Sequence, residues 1–254
     1  MVIIQTIVSV ILVSLVSLMG VFSIMLSSKK LDRLLLSLVS VSAGTLLGGA
    51  FLHLLPEVSE HQGFTVQVSL LVLLGVLVFF LLEKFIHHDR CNPSDKDCCG
   101  IRHHDTPHHI GMMNLFGDGL HNFIDGLVIA GSYLVSIPVG IAATVAVIFH
   151  EVPQELADFG VLLYAGFSKW KALFYNFLSA AAAIIGAIIG LALGSSSEYF
   201  IQLIIPFAAG GFIYIAGVNL IPELHKECGI KESILHFSCF VSGMALMYIL
   251  RILG

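Results

Sequence analysis

Apolar residues run almost unbroken near positions 2–27, 33–56, 64–86, 113–133, 138–163, 170–194, 199–222 and 232–253, with short polar stretches between them. Each run has the roughly 20 residues that a helix needs to cross a bilayer. None alternates with the period of a half-buried strand, so the pattern predicts helices. The expected fold is an all-α membrane protein, an eight-transmembrane-helix bundle forming a single polytopic domain over residues 1–254. The first run lacks a basic leading segment and is too long for a secretory signal, so it reads as a retained helix.

Composition agrees: of 254 residues, 57% are hydrophobic and 11% charged, with a mean hydropathy of +0.96. That excludes a soluble domain of this size. The net charge of −5 matters less than where the charges fall. Eleven of the twelve Lys and Arg residues lie in the stretches after the first, third, fifth and seventh runs, and only Arg251 lies at the other face. The positive-inside rule then places those four stretches in the cytoplasm and both termini outside; the expected location is the plasma membrane, with an organelle membrane as the alternative in a eukaryote.

Polar residues inside the apolar runs are few and clustered. In the fifth run, His150, Glu151, Gln154, Glu155 and Asp158 share an arc of about 140° at 100° per residue. Each carboxylate at mid-bilayer costs about 2.5 kcal/mol or more on insertion scales, so a water path, protons or a metal ion must compensate. Imidazole, carboxylate and amide groups on one face suit a divalent cation. Pro153 cannot donate to the Phe149 carbonyl and is expected to kink the helix and open that oxygen toward the same cavity. In the fourth run, Asn114, Asp118, His121, Asn122 and Asp125 share a similarly narrow face. His121, Asn122 and Asp125 repeat the spacing of His150, Glu151 and Gln154. The turn at Ser136, Ile137 and Pro138 makes these two helices antiparallel neighbours, so their polar faces can meet in one or two cation sites.

The second run ends His53-Leu54-Leu55-Pro56-Glu57 and the seventh Asn219-Leu220-Ile221-Pro222-Glu223. These segments must cross in opposite directions, which suggests an inverted repeat of helices 1–3 and 6–8 around central helices 4 and 5. His53 and Asn219 read equally well as ligands or as hydrogen-bond partners between helices. Glu57 and Glu223 read as cation-attracting mouth residues. Asn176 and Ser179 read as polar packing, and Cys228 and Cys239 as structural. Residues 87–112 form the expected cytoplasmic His/Cys-rich loop, with His87, His88, Cys91, Cys98, Cys99, His103, His104, His108 and His109. Their spacing matches no closed zinc module, so the tract reads as a metal-capturing or regulatory segment.

His121-Asn122-Phe123-Ile124-Asp125-Gly126 together with His150-Glu151-Val152-Pro153-Gln154-Glu155 resembles the paired signatures of the ZIP (Zrt-, Irt-like protein) family of divalent-metal transporters. The likeness spans the whole chain. It implies a binuclear transport site of His121, Asn122, Asp125, His150, Glu151 and Gln154, with Glu155 and Asp158 extending the path or bracing the ligands. The metal would be cargo, Zn²⁺ first and Fe²⁺ or Mn²⁺ second, moving into the cytoplasm, with no organic cofactor. The expected partners are the lipid bilayer and divalent metal ions, with a homodimer left open and no nucleic acid.

Two positions depart from that pattern. Gln154 stands where the branch often has His, and Gly49 where it often has an acid; the first leaves the choice among Zn²⁺, Fe²⁺ and Mn²⁺ open. Two other classes compete. A membrane-embedded zinc hydrolase would need His at position 154 to complete H-E-x-x-H, and the chain has Gln there after Pro153. A metal sensor or channel-like conduit would share every ligand.

Overall fold

The computed structural model describes residues 1–20, 28–88, 107–196, 198–225 and 229–253. Among them every regular element is helical. Helix α1 is Val2–Val16, tightening to a 3₁₀ turn at Ser17–Met19, and α2 runs Ser28–Gly48, then π-helical Gly49–Leu54, then Leu55–Gln62. Helix α3 is Val66–His88, α4 is Pro107–Val135 and α5 is Ile137–Tyr164. Helix α6 joins Lys169–Ala180 to Ala182–Ser196, α7 runs Glu198–Tyr214, π-helical Ile215–Leu220 and Ile221–Leu224, and α8 is Ile230–Leu253.

Seven of these, all but α4, are long and apolar enough to cross a membrane, which makes the chain an all-α membrane protein. Helix α4 has the length, 29 residues, but its polar face lowers its hydropathy. It also begins earlier than its apolar run, because Pro107 suits a first helical turn and the polar residues that follow end the run without ending the helix. Of the His/Cys-rich loop, residues 89–106 lie outside the described residues, as do residues 21–27 of the first apolar run and Cys228.

Helices α2 and α7 share an uncommon construction. In each, a six-residue π-helical segment precedes a proline, Pro56 or Pro222. The Leu55 N–H reaches back to the Ala50 carbonyl and the Ile221 N–H to the Ala216 carbonyl, one residue beyond the α-helical partner. Such bulges absorb an extra residue and locally unwind the helix. His53 and Asn219 occupy the same place in the two segments.

Three crossings are tight enough to require glycine on both sides. A Cβ on Gly44 of α2 would lie 2.1 Å from the Phe240 carbonyl oxygen of α8, and one on Gly243 would lie 2.3 Å from that of Val41. Gly75 of α3 and Gly210 of α7 stand in the same relation, at 2.1 Å from Phe207 O and 2.0 Å from Val72 O. Gly126 of α4 and Gly186 of α6 repeat it, each 2.0 Å from the facing carbonyl. Close backbone approach of this kind gains dispersion and Cα–H···O contact where the hydrophobic effect cannot drive association. Helix α5 sits innermost, touching α1, α2, α4, α6 and α8, with Ala142, Ala143, Ala146 and Val147 buried along it. Leu70, Leu73 and Leu77 of α3 and Ile185 and Ile188 of α6 face outward, as lipid contact requires.

Candidate metal centre

Helix α4 ends at Val135 and α5 begins at Ile137, with extended Ser136 between them; its hydroxyl caps α5 by accepting from the Val139 N–H at 3.4 Å. The two helices therefore fold back on one another and their polar arcs meet. At the meeting point His121 Nε2 lies 3.2 Å from His150 Nε2. Asp125 Oδ2 is 3.1 Å from the His150 nitrogen and 3.6 Å from that of His121. Glu151 Oε1 is 3.3 Å from both. A tetrahedral ion with bonds of about 2.0–2.1 Å holds its ligand atoms about 3.3–3.4 Å apart, so the four groups already stand at coordination spacing. Asp125, His150 and Glu151 are almost wholly buried, and His121 retains a little exposure.

The surroundings fix these donors. His150 Nδ1 lies 3.1 Å from the Ala146 carbonyl, which can only accept; Nδ1 therefore carries a proton and Nε2 faces the site. Phe79 of α3 meets the His121 ring edge-on at 5.6 Å between centroids. Phe212 of α7 meets the His150 ring at 6.2 Å. Aromatic walls on both imidazoles limit their rotation and keep water from their outer faces.

The other residues expected at the site are placed as follows. Asn122 donates its amide N–H to Asp118 Oδ1 at 3.0 Å, and Gln154 does the same from α5 at 3.2 Å. Glu155 is buried and accepts from the Asn176 amide of α6, which also reaches the Ser17 carbonyl of α1 at 3.4 Å. Asp158 accepts from Asn114 at 2.8 Å. Asp118, which shares the polar face of α4 but stood outside the expected ligand set, is thus the acceptor on which two amides converge. Its spacing of four residues from Asn122 was the available signal; the contribution of Gln154 comes from another helix. The expectation for Pro153 needs correcting. The Phe149 oxygen that it releases does not face the cavity but is taken by the Ser42 hydroxyl of α2, because a carbonyl buried among apolar helices requires a donor.

A cavity of about 250 Å³ lies between α3, α4, α5 and α7, with His121 and Asp118 on its wall. It also reaches Glu83, Asn114, Asp158 and Asn219, all on the halves of their helices nearest His88, Pro107, Tyr164 and Leu224. There Glu83 accepts from the Tyr214 hydroxyl and, in the orientation that satisfies both groups, from the Asn219 amide at 2.9 and 3.2 Å. At the opposite end Arg251 pairs with Glu60 at 3.1 Å and stands 3.9 Å from Glu57. His53 bonds the Met247 carbonyl at 2.8 Å, the interhelical role that was one of its two readings.

Several known proteins are similar to this chain. Zinc transporter ZIP13 homolog of Drosophila melanogaster is 34% identical over 87% of this chain and 79% of its own length. Zinc transporter ZIP13 of Mus musculus is 32% identical over 94% and 78%. Zinc transporter ZIP10 of Danio rerio is 39% identical over 56% of this chain and 18% of its own. The family model described as ZIP Zinc transporter matches residues 3–109 and 88–251, and on that coverage the chain belongs to the ZIP zinc transporter family.

Proposed function

We propose that the chain carries divalent metal cations, Zn²⁺ first, across its membrane into the cytoplasm through the site between α4 and α5. The observation that carries this reading is the convergence of two imidazole nitrogens and two carboxylates at 3.1–3.6 Å within the membrane-spanning region. Lone pairs so placed repel one another unless a cation lies among them, and two nitrogens with two oxygens at tetrahedral spacing favour Zn²⁺ over the octahedral preference of Mn²⁺.

The distribution of basic residues supports a cytoplasmic cavity end, from which a bound ion would leave past Asp118, Asp158 and Glu83 toward the His/Cys-rich segment. A hydrated ion entering from the other side would exchange water for His121, Asp125, His150 and Glu151, with Asn122, Gln154, Glu155 and Asp158 completing or bracing the path. Movement between the two accesses is alternating access. An inverted repeat of α1–α3 and α6–α8, with α4 also spanning, is supported by the matching π-helical segments and prolines and by the glycine crossings α2–α8 and α7–α3. The plasma membrane, with both termini outside, is the proposed location.

The test is uptake of radiolabelled Zn²⁺, Fe²⁺ and Mn²⁺ into vesicles of known orientation, wild type beside Glu151→Ala. Uptake lost in the variant, with Zn²⁺ fastest in wild type, is expected. Binding without flux in the wild type would reject transport in favour of a sensor.

A further inference from the structure

The connection between α5 and α6 carries a group of side chains that the metal centre does not use. Lys169, Trp170 and Lys171 open α6, and all three are exposed, the indole at 81%. Trp170 is the single tryptophan of the chain. Among the described residues neither lysine has a carboxylate partner, whereas Arg251 is held by Glu60 and Glu57, and Lys84 lies over the Phe80 ring at 5.8 Å. The two lysines do nothing for their own helix. A helix favours acids in its first turn and cations in its last, and this first turn has two cations and no acid.

These side chains stand on a fixed base. Gly166 turns the chain back with φ +87°, Phe167 is buried in one cluster with Leu162 and Ala172, and its N–H bonds the Leu162 carbonyl at 3.1 Å. The Ala172 N–H then closes the first turn of α6 on the Ser168 carbonyl at 2.8 Å. From there α6 turns an apolar face outward. Trp170, Phe174 and Leu178 lie within an arc of about 80° and are all exposed, and beyond the break at Ala181 exposed Ile185 and Leu193 follow. At 1.5 Å per residue, Trp170 and Leu193 stand about 35 Å apart along the axis, slightly more than the hydrocarbon core of about 30 Å. Helix α6 is apolar enough to cross a bilayer over Lys169–Gly194, so its hydrocarbon contact ends near Phe174. Trp170 and its flanking lysines therefore lie at the depth of the lipid headgroups.

We infer that Lys169, Trp170 and Lys171 form a docking site for the headgroup of an anionic phospholipid such as phosphatidylserine. The two ammonium groups meet its net negative charge, and the indole lies against the top of its acyl chains with the N–H toward the polar boundary. A phosphatidylcholine offers the same chains and phosphate but brings its own cation, so it leaves the lysines uncompensated. The site needs only that α6 spans the bilayer and stands independently of the transport reading. A headgroup held here fixes the start of the helix whose Asn176 holds Glu155, and with it the end of α5.

Because Trp170 is the only tryptophan, its fluorescence reports the site directly. The test places the full-length chain in lipid nanodiscs and quenches that fluorescence with phosphatidylserine brominated near the top of its acyl chains, or with phosphatidylcholine brominated identically. Phosphatidylserine is expected to reach half-maximal quenching at roughly a fifth or less of the mole fraction that phosphatidylcholine needs, the enrichment that about 1 kcal/mol per lysine produces. Added NaCl should shrink the difference. Lys169→Gln combined with Lys171→Gln should make the two lipids equal, while Lys231→Gln, at an exposed lysine opening α8, should keep the wild-type difference. Equal quenching by the two lipids in the wild type would overturn the site and leave contact without headgroup preference. A difference that survives the double variant would also overturn it and move the attraction to other basic residues. If the double variant does not fold, the two single variants decide: each should lower the preference, and an unchanged preference in both rejects the site.

Discussion

The hydroxyl of Ser42 on α2 donates to the carbonyl oxygen of Phe149 on α5, the oxygen that Pro153 deprives of its helical partner. The helix runs on through Pro153 from Ile137 to Tyr164, and His150 and Glu151 lie between the freed carbonyl and the proline. Ser42 thus steadies the turn that presents both ligands.

Replacing Ser42 by Ala should destabilise the protein by about 1–2 kcal/mol, the usual cost of a buried acceptor left unpaired. Pro153→Ala restores an N–H that can reach Phe149, so Ser42→Ala should cost much less in that background. Thermal unfolding of the four proteins in detergent measures this. Equal losses in both backgrounds would show that Ser42 acts through some other contact.

Single substitutions at the centre should separate binding from folding. His121→Ala removes one of four converging donors and should abolish uptake while the protein remains inserted and monodisperse. Because the His121 ring packs against Phe79, the change should cost about 1 kcal/mol of stability, too little to prevent insertion. Normal uptake by a correctly inserted His121→Ala protein would remove this site from the transport path.

Much of this was legible in the sequence, and the part that was not has a common cause. The α4–α5 turn, the two polar faces and the convergence of His121, Asp125, His150 and Glu151 follow from helical period and from the brevity of the connection at Ser136. What the period cannot give is which polar group on a third helix completes a bond. Ser42 is one of several hydroxyls on α2; like Ser40, which returns to Leu36 O, it also reaches its own helix, at Leu38 O 2.7 Å away, and nothing local singles it out for Phe149. Asp118 was visible on the α4 face, but its importance depends on Gln154 approaching from α5. The π-helical segments before Pro56 and Pro222 were visible only as a repeated ending; the extra residue that each absorbs is a backbone feature without a residue code.

Metal affinity should fall as the medium is acidified. An imidazole must be unprotonated at Nε2 to bind metal, so protons compete with the ion at His121 and His150 as the pH falls. For each proton displaced, the apparent affinity drops about tenfold per pH unit. Zn²⁺ dissociation constants measured between pH 7.5 and 5.5 should therefore weaken steadily in the wild type. In His121→Asn, which has lost one competing proton site, the slope should be shallower. An identical slope in the two proteins would mean that His121 is not a direct ligand.

The glycine crossing between α4 and α6 should be among the least tolerant positions in the bundle. Gly186 faces the Phe123 carbonyl, and an added Cβ would lie 2.0 Å from its oxygen. Backbone cannot swing aside as a flexible side chain can, so Gly186→Ala must push the helices apart, at about 1–3 kcal/mol for overpacking. Phe123 lies two residues from His121 and Asp125, so the same displacement moves two ligands of the metal centre away from α5. Uptake should fall together with stability. Gly160 on α5 is the control: it is exposed, with nothing within 4 Å of an added Cβ, so Gly160→Ala should be neutral or stabilise by about 0.4–1 kcal/mol through the unfolded chain. Thermal stability and vesicle uptake compared for the two alanine variants test the pair. Equal behaviour would mean that the α4–α6 crossing yields under load, and that the geometry of the metal centre does not depend on it.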